Sequence, residues 1–409
     1  MSASPPPTSP QNALVLPTPA LQKLATYVFA ELDMLKAQAV ESGMTLIDLG
    51  MGNPDVPTPR PIVDAMHAAI DKPENHRYPP FEGKPAFRQA VARFMQRRYQ
   101  VTVDPNTQVQ ALIGSKEGIG HLTFAYVGEG DIALAPCPFY PVYNRAPLLA
   151  GGEVYQMPLL EANGFLPDLA AIPPEVLKRA KVLFINYPNN PTAATADLAF
   201  YEKLVAFGKQ HGIIIASDLA YGEIGFDGYR PPSVLQVPGA LDIAVEFHSF
   251  SKSFNMAGWR LGFAVGAAPI IKSLFNLKTN IDYGVSPAIQ EAAVVALDRA
   301  EEFLPEIVAT YQARRDVVIE GFKSLGWPVP APPKATLYVW LPVPPGMTST
   351  DWCKHLIREV GVVITPGVAF GPQGDAYFRV SLVSPKETLM SAIARLKEKG
   401  IRYEQPQYP

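Results

Sequence analysis

The sequence has 409 residues, of which 48% are hydrophobic and 18% are charged, and its formal net charge is −3 at pH 7. A chain of this length exceeds one compact core, so we expect a large domain with a smaller one beside it. Acidic and basic residues are interspersed and form no basic stripe for a phosphate backbone, which argues against nucleic acid as a partner. The low charged fraction favours a dense core and a buried subunit interface.

Cysteine, histidine and the N-terminal segment narrow the class of protein further. Cys137, Cys353 and the six histidines have none of the spacings that metal sites use, so we expect reduced thiols, a cytoplasmic protein and no metal. The Pro-rich N-terminus has no basic residue before Lys23 and no apolar run long enough for a signal peptide or a membrane span. We expect a disordered or strapping arm there, and no membrane partner.

The first predicted elements are a helix at 25–41, a loop through TLIDLGMGNPDVPTP, and helices at 61–69 and 84–98. From about Gln108, short apolar runs alternate with amphipathic stretches, which is typical of a mostly parallel sheet with crossover helices. The strand candidates are VQALIG, DIALAP, VLFINY, GIIIAS, AVEFHS and LGFAVG.

A predicted helix at 301–325 ends before the Pro-rich segment WPVPAPPK, which marks a domain boundary. Beyond it, the strand candidates TLYVWLPV, VVITPG and YFRVSL and helices at 350–359 and 386–399 compose a small α+β unit. We therefore assign the arm to residues 1–24, the N-terminal part of the small domain to 25–60, the large domain to 61–300, a connecting helix to 301–325 and the C-terminal small domain to 326–409.

Polar residues follow several predicted strands directly. In open α/β sheets, ligands bind beyond the carboxyl ends of the strands, so these residues are the candidates for a site. Any one of them alone is better explained by a turn or a helix cap, and it is their joint occurrence that favours a site. They are Pro188, Asn189 and Asn190 after VLFINY, Asp218 and Tyr221 after GIIIAS, and Ser249, Ser251, Lys252 and Arg260 after AVEFHS.

The segment SFSKSFNMAGWR brings serine hydroxyls, a lysine and an arginine within twelve residues. Hydroxyls, backbone amides and a planar guanidinium are the donors that suit a phosphate dianion. A lysine that is desolvated beside other cations has a lowered pKa, which is the condition for forming a Schiff base with an aldehyde. The alternative for Lys252 is a solvated side chain beside a Ser-rich turn.

Together with NYPNNPT and SDLAYGE, this segment resembles the signature of the fold-type I, pyridoxal-phosphate-dependent aminotransferases of class I and II, and the resemblance extends from about Thr26 to Tyr403. It implies an α/β fold with a large domain on a mostly parallel seven-stranded sheet and a small α+β domain. It also implies pyridoxal 5'-phosphate as cofactor, held as a Schiff base by Lys252, and a homodimer with shared active sites.

The resemblance implies a role for each cofactor residue. Asp218 pairs with the pyridine nitrogen, Asn190 and Tyr221 bond the phenolic oxygen of the ring, and Tyr140 stacks on the ring face. The phosphate is expected at the turn before a helix predicted at 118–127, because a helix N-terminus favours anions. The phosphate ligands implied are Ser115, Lys116, Ser249, Ser251, Arg260 and, from the neighbouring subunit, Tyr78.

For the substrate, the resemblance implies Arg379 of YFRVS as the ligand of the α-carboxylate, with the Gly52 amide opposite. An arginine in an apolar strand needs a buried anion, or else a structural ion pair. The finer resemblance is to bacterial alanine and LL-diaminopimelate aminotransferases. The further substrate contacts that it implies are Tyr27, Lys116, Tyr140, Asn190 and, from the other subunit, Tyr283.

One departure from the family pattern is Ala193, where the family has glycine after Asn-Pro-Thr, which puts the geometry of that turn in question. The expected reaction moves an amino group between alanine or LL-diaminopimelate and 2-oxoglutarate by a ping-pong mechanism, with Lys252 as anchor and as acid and base. The alternatives are an aspartate aminotransferase, another enzyme on this scaffold such as a C–S lyase, and a sensor domain of a transcription regulator. We expect the segment before Lys23 to be too short for the DNA-binding module that the last would need.

Overall fold

A seven-stranded sheet forms the centre of the molecule. The computed structural model describes residues 16–22, 24, 30–329 and 331–404. The predicted Tyr27 and most of the N-terminal arm lie outside the described residues. The strands of the described residues are β1 Ile47–Asp48, β2 Val109–Leu112, β3 Ile132–Cys137, β4 Glu153–Pro158, β5 Ala180–Ile185, β6 Ile214–Asp218, β7 Ala244–Ser249, β8 Gly262–Gly266, β9 Tyr338–Pro342, β10 Val362–Val363, β11 Thr365–Pro366 and β12 Tyr377–Ser381. The central sheet contains β2 to β8, and the other strands lie outside it.

Helices cover both faces of this sheet. No helix among the described residues is both long enough and apolar enough to cross a bilayer. The helices are α1 Pro19–Gln22, α2 Ala30–Glu41, α3 Arg60–Ile70, α4 Pro85–Tyr99, α5 Ser115–Tyr126, α6 Val142–Leu149, α7 Pro174–Leu177, α8 Leu198–His211, α9 Phe250–Ser253, α10 Ala268–Ile281, α11 Pro287–Asp298, α12 Ala300–Ser324, α13 Ser349–Val360 and α14 Lys386–Glu398.

The central sheet has the strand order β2-β8-β7-β6-β5-β3-β4, in which β8 runs antiparallel to both of its neighbours and every other pair is parallel. Its central strands are buried on both faces: Val182 and Phe184 of β5 pack into one apolar cluster, and Leu183 and Ile185 into the other. Strands of this kind read as continuous apolar runs, which is why they stand out in the sequence.

A second region contains an antiparallel sheet in the order β11-β12-β9 and a parallel pair of β1 with β10. The predicted strand VVITPG is split between them, because Val362–Val363 pairs with β1 while Thr365–Pro366 pairs with β12. The pairing of β1 with β10 supports placing the N-terminal segment in the small domain. The domain boundaries predicted above stay a proposal.

Candidate active site

A cavity of about 460 Å³ lies beyond the carboxyl ends of β6 and β7, between the central sheet and the β9–β12 region. This is the position at which open α/β sheets bind ligands. The structure thus brings most of the sequence-predicted residues to one place. Those that line the cavity are Gly52, Ser115, Lys116, Tyr140, Asn190, Asp218, Tyr221, Ser249, Ser251, Lys252, Arg260 and Arg379.

Lys252 lies on α9, a single helical turn that begins where β7 ends. Ser249 caps this turn, since its Oγ accepts from the Ser251 backbone N–H at 3.2 Å. Lys252 Nζ donates to the Gly52 carbonyl oxygen at 2.5 Å. Burial lowers the pKa of the Lys252 ammonium, and Arg379 and Arg260 lower it further against the opposing effect of Tyr338. A lowered pKa increases the share of the free amine, which is the nucleophilic form, at a given pH.

Asp218, the last residue of β6, is buried at the floor of the cavity. Its Oδ2 accepts from the Tyr143 hydroxyl at 2.6 Å, and its Oδ1 accepts from the Ala220 N–H at 3.2 Å. Burial raises the pKa of Asp218 to about 6, although both hydrogen bonds act to lower it. A buried carboxylate with no cation among these partners is suited to receive a cationic group of a ligand.

Arg379 lies on β12 and lines the wall of the cavity that the β9–β12 region forms. Its Nη1 donates to Asn190 Oδ1 at 2.8 Å, and its Nη2 donates to the Gly50 carbonyl oxygen at 2.7 Å. The guanidinium carbon lies over the rings of Tyr338 and Phe370, at 4.1 Å and 4.7 Å from their centroids. Among the described residues its buried Nε has no partner, and burial lowers its pKa. A held arginine with a spare buried donor fits an anionic ligand.

The cationic and hydroxyl groups at the other end of the cavity surround the start of α5. That helix begins at Ser115, three residues before the predicted start at Gly118, so Ser115 and Lys116 lie in its first turn. Gly114 caps it with a φ of 82°, and a Cβ there would come within 2.5 Å of Arg260 Nη2. Glycine therefore allows the guanidinium to approach the helix N-terminus, where an anion is stabilised.

Tyr338 and Tyr143 contribute to the site, although the sequence did not single them out. The Tyr338 hydroxyl lies 3.1 Å from the Tyr221 hydroxyl, and a Cβ at Gly52 would overlap it. Burial alone would raise the pKa of Tyr338, but Arg379 and Lys252 outweigh it and hold the pKa below its ordinary value. No local signal marks either tyrosine, because their partners are 117 and 75 residues away along the chain.

Tyr78 and Tyr283 are not among the residues that line this cavity. They stack on each other with ring centroids 4.6 Å apart, and Tyr283 also stacks on Phe81 at 5.2 Å. Tyr78 is 80% exposed and Tyr283 is 51% exposed. An exposed aromatic cluster of this kind is unusual on a free surface and is common at an interface.

A group with metal-ligating chemistry, Glu117, His121 and Asp282, lies where α5 meets the end of α10. The fully buried Lys278 donates to Glu117 Oε1 at 3.1 Å and to Asp282 Oδ1 at 2.9 Å. One buried ammonium thus already pairs with both carboxylates. This arrangement indicates a buried ion-pair network that joins α5 to the end of α10.

The turn that departs from the family pattern keeps a left-handed residue. Ala193 has a φ of 59°, and its N–H donates to the Asn189 carbonyl oxygen at 2.9 Å. Asn189 Oδ1 also accepts from the Thr192 N–H at 2.9 Å. The turn is therefore formed without glycine, at a conformational cost that alanine pays in this region.

Comparison with known proteins identifies the family. The family model "Aminotransferase class I and II" matches residues 44–396. LL-diaminopimelate aminotransferase 2 of Trichormus variabilis is 51% identical over 384 residues, which cover 94% of this chain and 98% of that protein. LL-diaminopimelate aminotransferase of Moorella thermoacetica is 52% identical over 377 residues, which cover 92% and 96% respectively.

The fold comparison agrees. The substrate-bound structure of BacF from Bacillus subtilis superposes with a TM-score of 0.91 at 39% identity, over 96% of this chain and all of that one. A mutant aspartate aminotransferase of Thermus thermophilus superposes with a TM-score of 0.87 at 25% identity, over 93% and 99% of the two chains. These matches confirm the resemblance found in the sequence, and the chain belongs to the class I and II aminotransferases.

Proposed function

We propose that the protein transfers the amino group of LL-diaminopimelate to 2-oxoglutarate by a ping-pong mechanism. The observation that carries this proposal is the cavity, where Lys252, Asp218 and Arg379 converge in a chain about half identical to proteins named LL-diaminopimelate aminotransferases. Alanine and aspartate remain the other donors to be compared with it. Transamination itself follows from the family, whose members are transferases that depend on pyridoxal phosphate.

The residues present fit pyridoxal phosphate. Asp218 is a buried carboxylate whose partners include no cation, which suits a protonated pyridine nitrogen. At the other end, the Ser115 turn, the Ser249 and Ser251 hydroxyls and Arg260 form a donor set for a phosphate dianion. When bound, the cofactor supplies an aldehyde that forms an imine with an amine and a ring that accepts the electron pair of the Cα–H bond.

Lys252 is the amine in this proposal and also the group that moves the proton. Its Nζ is held at the Gly52 carbonyl, and its pKa is lowered by burial and by Arg379 and Arg260. With the cofactor bound, the Lys252 amine would take the proton from the substrate Cα as a base and would give a proton back as an acid. This use of one group as base and then acid requires a pKa not far from the working pH.

Arg379 binds the α-carboxylate in this proposal. Its guanidinium is fixed by Asn190, by the Gly50 carbonyl and by two aromatic rings before any ligand arrives. A carboxylate held there orients the substrate so that the Cα–H bond, and not the bond to the carboxylate, is the one aligned for cleavage. The orientation favours transamination over decarboxylation on the same scaffold.

We further propose a cytoplasmic homodimer in which Tyr78 and Tyr283 contribute to the active site of the neighbouring subunit, Tyr78 at the phosphate and Tyr283 at the substrate. Their exposure, their mutual stacking and their place outside their own cavity support this assignment. Tyr27 belongs to the proposed substrate contacts by its match to the family alone.

A half-reaction screen tests the substrate. The holoenzyme is mixed with LL-diaminopimelate, alanine, aspartate or glutamate, and the loss of the visible absorbance of the lysine-bound cofactor is followed. We expect LL-diaminopimelate and glutamate to react with the highest kcat/KM. If alanine or aspartate reacts much faster than LL-diaminopimelate, the proposed donor is wrong.

A further inference from the structure

A cluster of three charged residues lines the cavity on its α2 side. Asp33 and Lys36 lie on α2, and Asp48 is the last residue of β1. Lys36 Nζ is 3.2 Å from Asp48 Oδ2 and 3.5 Å from Asp33 Oδ1. Their side chains are between 29% and 50% exposed, so they remain open to a ligand in the cavity.

This distal cluster, Asp33, Lys36 and Asp48, is connected by hydrogen bonds through Gly50 to Arg379, which we propose as the ligand of the α-carboxylate. Asp48 Oδ1 accepts from the Gly50 N–H at 2.8 Å, and the Gly50 carbonyl accepts from Arg379 Nη2. The buried Arg379 Nε has no hydrogen-bond partner among the described residues. It is therefore a spare donor for an anionic ligand at the inner end of the same cavity. The cavity therefore has one charged end built around Arg379 and a second one at α2.

Two charged ends match the chemistry of a substrate with an amino-acid head at each end. LL-diaminopimelate carries two such heads joined by three methylenes, so when one is held at Arg379 the other must lie farther along the cavity. In each head an ammonium and a carboxylate share one carbon, and their binding partners must therefore stand side by side. Lys36 and Asp33, one turn apart on α2, present a cation and an anion in that arrangement.

We propose, on the basis of the function proposed above, that Asp33 binds the distal ammonium and Lys36 the distal carboxylate of the amino donor. Asp48, whose two oxygens are already engaged by Gly50 and Lys36, holds Lys36 in place. Binding then exchanges one ion pair for two: the substrate ammonium replaces Lys36 at Asp33, and the substrate carboxylate takes the Lys36 donor so released. No charge is left unpaired.

The two residues differ in the substrates that they discriminate. Glutamate has a distal carboxylate and no distal ammonium, so it uses Lys36 and not Asp33. Alanine has neither group. The half-exposed ion pairs are screened by water, and each should contribute about tenfold to kcat/KM.

The test measures half-reaction kcat/KM of the holoenzyme for LL-diaminopimelate, glutamate and alanine in Asp33→Asn and Lys36→Met. Asp33→Asn should lower the ratio of LL-diaminopimelate to alanine about tenfold while the ratio of glutamate to alanine changes less than twofold. Lys36→Met should lower both ratios about tenfold. Glu41→Gln, an exposed acid on the same helix that does not line the cavity, is the matched control.

Lys116→Met separates this proposal from its main rival, because Lys116 also lines the cavity and is a cation. If Lys116→Met lowers both ratios and Lys36→Met lowers neither, the distal carboxylate binds at Lys116 and the proposal is overturned. Equal ratios in Asp33→Asn and wild type would overturn the role of Asp33. An unreactive wild-type protein with LL-diaminopimelate would instead refute the proposed donor, which is a separate outcome.

Discussion

Asp218 shows how one residue is prepared for a partner that carries a positive charge. Its carboxylate loses water on burial, and the Tyr143 hydroxyl and the Ala220 N–H compensate only in part, so the pKa rises to about 6 from an ordinary 3.8. A cationic ring nitrogen placed beside it would reverse that cost. The site is therefore more costly to keep charged without the cofactor than with it.

This shift predicts the pH dependence of cofactor binding. Above pH 6 Asp218 is ionised and attracts a protonated pyridine nitrogen, whereas below pH 6 it is neutral and does not. Cofactor affinity should fall as the pH is lowered through about 6, and Asp218→Asn should remove that dependence and slow the half-reaction more than tenfold. Affinity is measured by titrating the apoprotein at several pH values. The same pH profile in both proteins would contradict the assignment.

Gly52 and Tyr338 form a second residue-scale test. A Cβ at Gly52 would overlap the Tyr338 hydroxyl and displace the carbonyl that accepts from Lys252, so Gly52→Ala should lower kcat/KM at least tenfold for every donor. Adding Tyr338→Phe removes the overlapping oxygen and should restore part of the loss. Gly120→Ala, where a Cβ meets nothing within 4 Å, is the control. The account fails if the double variant is no more active than Gly52→Ala.

At the scale of elements, the buried strands of the central sheet, including the edge strand β2, were predictable, whereas the other edge strand, β4, was not. All strands of the central sheet except β4 coincide with an apolar run in the sequence. β4 reads EVYQMP, lies at the edge of the sheet and is largely only part-buried, so it has no continuous apolar run. The start of α5 was predicted too late because Gly114 and Ser115 are typical turn residues, whereas Ser115–Glu117 already form the first turn of the helix.

Residues of the candidate site were predictable where they follow a strand end in sequence. Asp218 and Ser249 end strands, and Lys252 lies in the turn after one, so local pattern and family resemblance both point to them. Tyr338 was missed because it lies in a strand of another sheet and reaches the site only through the packing of that sheet against the central one. The roles of all these residues stay predictions until they are tested.

The turn at Ala193 yields a prediction about stability. A left-handed φ of 59° strains a residue with a Cβ, so Ala193→Gly should raise the free energy of unfolding by about 0.5–1 kcal/mol after the greater chain entropy of glycine is subtracted. Denaturant or thermal unfolding measures the difference. Ala194→Gly, one residue on and outside the positive-φ residues, should destabilise the protein instead. Loss of stability in both variants would show that the turn is unstrained.

For the whole molecule, the proposed contribution of Tyr78 to the neighbouring subunit's site predicts that two inactive variants restore activity when they form a hybrid dimer. Lys252→Ala and Tyr78→Ala homodimers should each be inactive, but a hybrid dimer has one site with both an intact lysine and an intact tyrosine. If subunits exchange at random, an equal mixture should recover about a quarter of wild-type activity. Mixing two Lys252→Ala preparations is the control. An active wild-type monomer at assay concentration would be incompatible with shared sites.

The most direct measurement of the central claim is to trap the cofactor on the protein. Borohydride reduction of the holoenzyme converts an imine between the cofactor and a lysine into a stable amine, and peptide mass mapping then locates it. We predict that the cofactor mass is found on the peptide that contains Lys252, and that incubation with LL-diaminopimelate before reduction removes it. Cofactor mass on another lysine, or on none, would contradict the account.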